Sequence, residues 1–168
     1  MPDFTIYPIP LSRGTLGISP LPGRGGRMDA DMIALLRWNP DLVLTMTTRA
    51  EMERAGSNDL PDRLAEAGVQ WIHLPIADFG APKSNTEENW PEASRAARRV
   101  LQNGGKVLSH CFGGRGRSGM MVMRLMVELG EPADAALTKI RAVRAGAVEN
   151  SKQRDWAAAG RVQTDLSE

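Results

Sequence analysis

The chain has 168 residues, 42% hydrophobic and 24% charged, with 21 Lys and Arg against 20 Asp and Glu for a net charge of +1. That length suits one domain able to bury a full core without staples, and the composition excludes collagen-like, disordered and membrane-spanning chains. A balance so near neutrality leaves no global field to hold a nucleic-acid backbone or an anionic membrane, so any anion must be bound by a local site.

Met1 to Arg13 carries prolines without a sustained period and reads as an N-terminal arm on a single domain spanning 1–168. It lacks the charged start and apolar stretch of a signal peptide, and one cysteine permits no intrachain disulfide. Both features predict a reducing, cytoplasmic setting. Thr15 to Ile18 reads as a short strand running into a turn-rich loop, Pro20 to Arg27, that holds Arg24 and Arg27. Asp29 predicts the N-cap of a helix through Trp38, with Met32, Leu35 and Leu36 on one face and Asn39-Pro40 as its stop. Asp41 to Thr47 reads as a buried strand, Leu60 to Ala67 as a helix stopped by Gly68, and Val69 to Pro75 as the next strand.

After a loop of turn residues over 76–85, Asn89-Trp90-Pro91-Glu92 has the form of a capped start, opening a helix that ends near Asn103 and whose polar face carries Arg98 and Arg99. Lys106 to His110 is a short strand. Arg117 to Leu129 is apolar on nearly every side, with four methionines between 120 and 126 missing only Val122, Arg124 and Leu125, which marks a buried helix. Helices from Pro132 to Arg144 and from Ser151 to Gly160 close the chain. Strands alternating with helices predict an α/β fold: a central, mostly parallel sheet flanked by helices on both faces.

The chemistry concentrates in Ser109-His110-Cys111-Phe112-Gly113-Gly114-Arg115-Gly116-Arg117-Ser118-Gly119, between a strand and the buried helix. A strand feeding a glycine-rich turn and then a helix N-terminus aims successive backbone N–H groups at one point, where a tetrahedral anion can sit. The backbone of Phe112, Gly113, Gly114, Arg115 and Gly116 would form this nest, with positive φ angles expected at the three glycines. Cys111 at its head is surrounded by donors and positive charge, the setting that holds a cysteine as a nucleophilic thiolate. Arg117 can offer its planar fork to two phosphoryl oxygens, which a lysine cannot. Ser118 is placed to donate a hydrogen bond to the cysteine sulfur, and the His110 ring to order the loop backbone. Two histidines and one cysteine make no zinc cluster, so neither metal nor cofactor is expected.

His110 to Ser118 matches the H-C-x5-R-[ST] signature and resembles the cysteine-dependent protein tyrosine and dual-specificity phosphatases, most of all the kinase-associated phosphatase group. Leu21-Pro22-Gly23, Thr47-Thr48-Arg49, Leu74 to Pro82 and Gly146 to Gln153 resemble that group in order and spacing. The resemblance implies the compact dual-specificity phosphatase fold and a general acid on a loop, at the position of Asp78. The residues agree: Asp78 follows a strand, lies in a Gly/Pro-bounded loop and precedes the nucleophile by one strand-helix-strand unit. Gln153 stands where some members carry a glutamine that positions hydrolytic water.

The expected activity is metal-independent hydrolysis of phosphotyrosine, with phosphoserine or phosphothreonine in addition, on a protein or peptide, by a monomer. Two alternatives are a phosphoinositide or small phosphate-ester phosphatase and a phosphoprotein-binding module without turnover. Phe112 speaks against the lipid reading, since similar lipid-phosphatase loops carry a basic residue there as well as at Arg115. No basic amphipathic helix suggests membrane docking. Arg24, Arg27 and Arg49 are candidates for the pocket rim, and His73 reads as a packed structural histidine.

Overall fold

The computed structural model describes residues 3–164. In chain order the elements are β1 (Tyr7–Pro10), β2 (Thr15–Ser19), α1 (Met28–Trp38), β3 (Leu42–Thr45), α2 (Arg49–Arg54), α3 (Leu60–Glu66), β4 (Gln70–His73), α4 (Ser84–Gln102), β5 (Lys106–His110), α5 (Gly116–Glu128), α6 (Ala133–Val143) and α7 (Ser151–Ala158). The five strands pair in the order β1-β2-β5-β3-β4. All pairings are parallel except β1 with β2. Helices cover both faces, as the alternation of strands and helices predicts.

The continuous apolar run in β3 follows from that double cover. Leu42 and Leu44 join one core cluster with Met120, Met121, Leu125 and Trp90, while Val43 joins the other with Met32, Leu35, Leu60 and Leu64. Helix α5 is buried along nearly its whole length, and it packs on β2, β5, α4, α6 and α7. Ser19, Thr45 and His110 align across β2, β3 and β5, so the loop after His110 opens at the carboxyl edge of the parallel strands, where open α/β sheets place their ligands.

Four local readings are corrected by the structure. The arm supplies an edge strand, β1, because pairing with β2 is a tertiary matter that proline content does not reveal. Helix α1 begins at Met28, ahead of Asp29, and nearby Asp31 accepts a hydrogen bond from the Gly23 N–H at 2.8 Å. Helix α4 begins at Ser84, so Pro91 lies inside it. Trp90, Ala93, Ala97 and Leu101 bury one face of that helix, and such packing outweighs one lost backbone bond. Arg98 is 2% exposed, with Nε donating to Ser94 Oγ at 3.0 Å, and does not lie on a solvated face.

Candidate active site

The loop from Cys111 to Arg115 is shaped by what its carbonyls accept. His110 Nδ1 reaches Cys111 O at 3.4 Å, and the Leu21 N–H donates to Phe112 O at 3.1 Å. Arg144 donates from Nη2 to Gly113 O and from Nε to Gly114 O, both at 2.9 Å. The Gly119 and Val148 amides donate to Arg115 O at 3.0 and 3.2 Å. A trans peptide unit points its N–H opposite its C=O. Carbonyls drawn outward therefore turn the amides of residues 112–116 toward the centre of the loop, at the N-terminus of α5.

Only one of the three glycines uses a positive φ. Gly114 sits at φ 73°, where a Cβ would stand 2.7 Å from the Ser19 carbonyl carbon. Gly113 and Gly116 do not, which corrects the sequence expectation. At Gly116 a Cβ would meet only side-chain ends, the Glu149 carboxylate and Gln153 Oε1 at 2.9 Å, so both side chains would have to shift.

Cys111 is 3% exposed, and its Sγ lies 3.2 Å from Ser118 Oγ. Ser109 Oγ donates to Ser118 O at 3.1 Å and fixes the first turn of α5 from below. His110 is fully buried. Burial holds its imidazole at about 4, only partly offset by the Cys111 carbonyl, so the ring is neutral at pH 7. Trp71 Nε1 donates to Thr45 Oγ1 at 2.7 Å, and that hydroxyl lies 2.6 Å from His110 Nε2. With the Thr45 hydroxyl donating to Nε2, the ring proton sits on Nδ1 and faces Cys111 O.

Arg117 is 1% exposed. Its outer edge is taken by Glu51, with Nη1 to Oε1 at 2.7 Å and Nη2 to Oε2 at 2.8 Å, and Nη1 also donates to Ile76 O at 2.9 Å. Burial works against both charges, but their mutual hydrogen bonds win: the Arg117 pKa is raised, and Glu51, helped by Thr48, is held below the usual carboxylate range. Nε is buried without a partner. The fork that remains for a phosphoryl group is thus Nε with the second proton of Nη2, the edge that Glu51 leaves free.

Sequence reasoning missed Glu51 because helix α2 is six residues long and shows no period. A signal was present: Thr48 and Glu51 form a capping box, which is legible as Thr-x-x-Glu. Arg144 was also missed, since a helix-terminal arginine carries no local mark of partners 30 residues away.

Asp78 stands across the mouth, with its Oδ1 3.3 Å from Arg117 Nη2 and its side chain 57% exposed. The Phe79 N–H donates to the same oxygen at 3.0 Å, and Phe79 has φ 61° and is 60% exposed. Helix α7 holds this loop. Asn150 Nδ2 donates to Phe79 O at 2.8 Å and Gln153 Nε2 to Gly80 O at 3.1 Å. Gln153 Oε1 accepts from the Glu149 N–H at 2.9 Å, so the contacts of this glutamine are those of a tether on the acid loop.

Of the candidate rim arginines, Arg24 reaches the outer side of the loop, with Nη1 3.4 Å from Phe112 O and its guanidinium 6.0 Å from the Phe112 ring centroid. Arg27 instead pairs with Asp3. Arg49 opens α2, and its charge adds to the burial that lowers the His73 pKa. His73 stacks on Trp71 at 5.2 Å and bonds Thr47 O at 2.7 Å, as a structural histidine would.

Inward-turned amides at a helix N-terminus, the open edge of a buried arginine and a cysteine at the head of the loop together give a cup with the polarity for a tetrahedral anion. Chemistry of that kind on this sheet order defines the cysteine-dependent phosphatases of dual-specificity fold. Residues 26–131 match the family described as "Polymorphic toxin system, DSP-PTPase phosphatase", and the chain belongs to that family. It is similar to cyclin-dependent kinase inhibitor 3 of Rattus norvegicus, 31% identical over 117 residues that make up 68% of this chain and 54% of the relative. The chain therefore spans about half the length of that curated relative. Among solved structures, kinase associated phosphatase with its catalytic-site cysteine changed to serine superposes with a TM-score of 0.81 at 26% identity, covering 94% of this chain and 93% of its own. Tk-PTP in its active form gives 0.66 at 28% identity, covering 89% and 92%.

Proposed function

We propose that this protein is a phosphatase that hydrolyses phosphotyrosine, and phosphoserine or phosphothreonine as well, on a protein substrate through a cysteinyl-phosphate intermediate. The observation that carries the reading is the unpartnered Nε of buried Arg117 beneath inward-turned amides, beside Cys111. Cys111 Sγ attacks phosphorus as the bond to the leaving oxygen breaks, and Asp78 gives that oxygen its proton. Charge on the three equatorial oxygens is met by the loop amides and by Nε and Nη2 of Arg117. Water then attacks the phosphocysteine, Asp78 as carboxylate takes its proton, and the sulfur leaves as thiolate with a hydrogen bond from Ser118. No step requires a metal.

The relatives support a phosphoprotein substrate: one is named for its association with a kinase, another for inhibiting one. A monomer belongs to the same proposal, and so does a reducing, cytoplasmic setting, which is supported by a mechanism that fails once Cys111 is oxidised. Turnover of p-nitrophenyl phosphate that resists EDTA, yields to vanadate and disappears in Cys111→Ser is the expected result. Residual activity in that variant above a small fraction of the parent, or dependence on added metal, overturns the assignment. A panel of phosphopeptides against phosphoinositides then decides the substrate class, and preference for the lipids would replace the protein reading.

A further inference from the structure

We infer that Arg144 and Tyr7 are positioning residues of the phosphate loop, through which the first strand of the chain sets the geometry of the anion cup. Arg144 follows the last residue of α6 and has left helical geometry, at φ −134° and ψ 92°. Its Nε–H and Nη2–H reach two successive carbonyls, those of Gly114 and Gly113, each at 2.9 Å. One planar fork spanning two adjacent peptide units fixes the plane of both, and only arginine carries such a fork. The amides turned inward by this contact are those of Gly114 and Arg115, in the middle of the loop.

The third edge of the same guanidinium is held from β1. Nη1 donates to the Tyr7 hydroxyl at 3.2 Å, and the guanidinium carbon lies 4.6 Å from the Tyr7 ring centroid. Tyr7 is the only tyrosine in the chain. Its strand is anchored by antiparallel pairing with β2, and the end of β2 is the backbone against which Gly114 is packed. The loop is therefore braced twice from the same edge of the sheet, by backbone at Ser19 and by side chain at Tyr7.

The placement of Arg144 is electrostatically adverse. Burial lowers its pKa, and the charges of Arg115 and Arg24 add to that. A third cation kept in this neighbourhood serves the loop, since a surface arginine would satisfy the end of α6 in water at no such cost. Tyr7 and, less strongly, Cys111 oppose the shift.

This inference rests on the reading of the loop as an anion cup and is tested without turnover. Affinity for inorganic phosphate is measured by calorimetry in the Cys111→Ser background, with kcat and KM measured separately in the parent. Arg144→Met is expected to weaken phosphate binding by about 10- to 100-fold, the effect of losing charge-assisted bonds to two carbonyls. Arg144→Lys keeps the charge but cannot span both carbonyls, and should recover only part of that loss. Tyr7→Ala, which removes ring and hydroxyl, is expected to lose roughly 3- to 10-fold, and Tyr7→Phe less because the ring remains under the guanidinium.

Arg144→Met with parental phosphate affinity overturns the proposal, and so does full recovery by Arg144→Lys. Parental affinity in Tyr7→Ala overturns the part assigned to β1. Should Arg144→Met not fold, the lysine and tyrosine variants decide the matter on their own. A parent that binds phosphate but does not turn over substrate would overturn the proposed function and leave this inference standing.

Discussion

Between β5 and α5, every carbonyl from Cys111 to Arg115 accepts a hydrogen bond from a side chain or from the backbone of the surrounding frame. The loop that carries Asp78 is instead tied down by Asn150, Gln153 and the 3.3 Å contact with Arg117, and leaves Phe79 in solvent. The contrast follows from what each part must do. A cup that stabilises developing charge gains most when its dipoles are fixed before the substrate arrives. In the proposed mechanism the acid must admit a phosphorylated side chain and then close over it, and a loop with that task cannot be held by as many bonds.

Removing the proposed proton donor tests the less tightly held half most directly. Asp78→Asn is expected to slow phenyl phosphate hydrolysis by roughly 10²- to 10⁴-fold while slowing p-nitrophenyl phosphate less, because the nitrophenolate leaves without a proton. Equal losses on the two esters would make Asp78 structural.

The fixed half is tested through Glu51. Glu51→Ala leaves buried Arg117 with only the exposed Asp78 carboxylate near it, a loss on the order of 3–5 kcal/mol in unfolding free energy. Urea denaturation should show it, together with a fall in kcat. Glu51→Gln keeps hydrogen-bonding atoms and should fall between the two; no change in stability would mean that the pair contributes nothing net.

Acid should weaken the cup through His110. The folded protein keeps this ring neutral down to about 4, whereas the reference value for the free side chain is 6.5. The unfolded chain thus binds the extra proton first as pH falls. Stability from this residue is complete above about 6.5 and is lost progressively toward pH 4, at up to ~1.4 kcal/mol per pH unit. Glu51 adds a loss of the same sign below the usual carboxylate range. Denaturation midpoints across this window should be flatter in His110→Asn, and an unchanged slope would show that other groups set it.

The smallest effect is expected from the tethers. Asn150→Ala and Gln153→Ala each remove one bond to the acid loop, about 1 kcal/mol, and should lower kcat by about 3- to 10-fold without changing phosphate affinity. Weakened phosphate binding in either variant would erase the distinction between the two halves.

Legibility in the sequence follows the same division. Strand β5 and helix α5 were readable to within a residue, because a continuous apolar run and a glycine-rich turn are local signals. Cys111, Arg117 and Ser118 were legible as candidates in that same turn, and Asp78 as a candidate through the family resemblance. Glu51 and Arg144 did not: each acts on a partner far along the chain, and nothing in the neighbouring letters reports on that partner. Arg98 misled because its spacing suits a polar helix face, while packing of α4 against α5 buries it. The arm misled in the opposite way, since prolines that argue against a central strand are compatible with an edge.

Those prolines have a consequence of their own. The Leu11 N–H donates to Gly14 O at 3.1 Å, which fixes the alternation along β1: Tyr7, Ile9 and Leu11 present their amides to β2, and positions 8 and 10 face away from the sheet. Both outward positions are proline, so the free margin of this strand has lost the donors with which a β-strand from another molecule would bind it. Edge-to-edge pairing of one sheet with the next through this side, a common step toward ordered aggregates, is hindered by two residues that hold no position in the site. The strand inferred to brace the phosphate loop on its inner side thus offers neighbouring chains a margin poor in donors on its outer one.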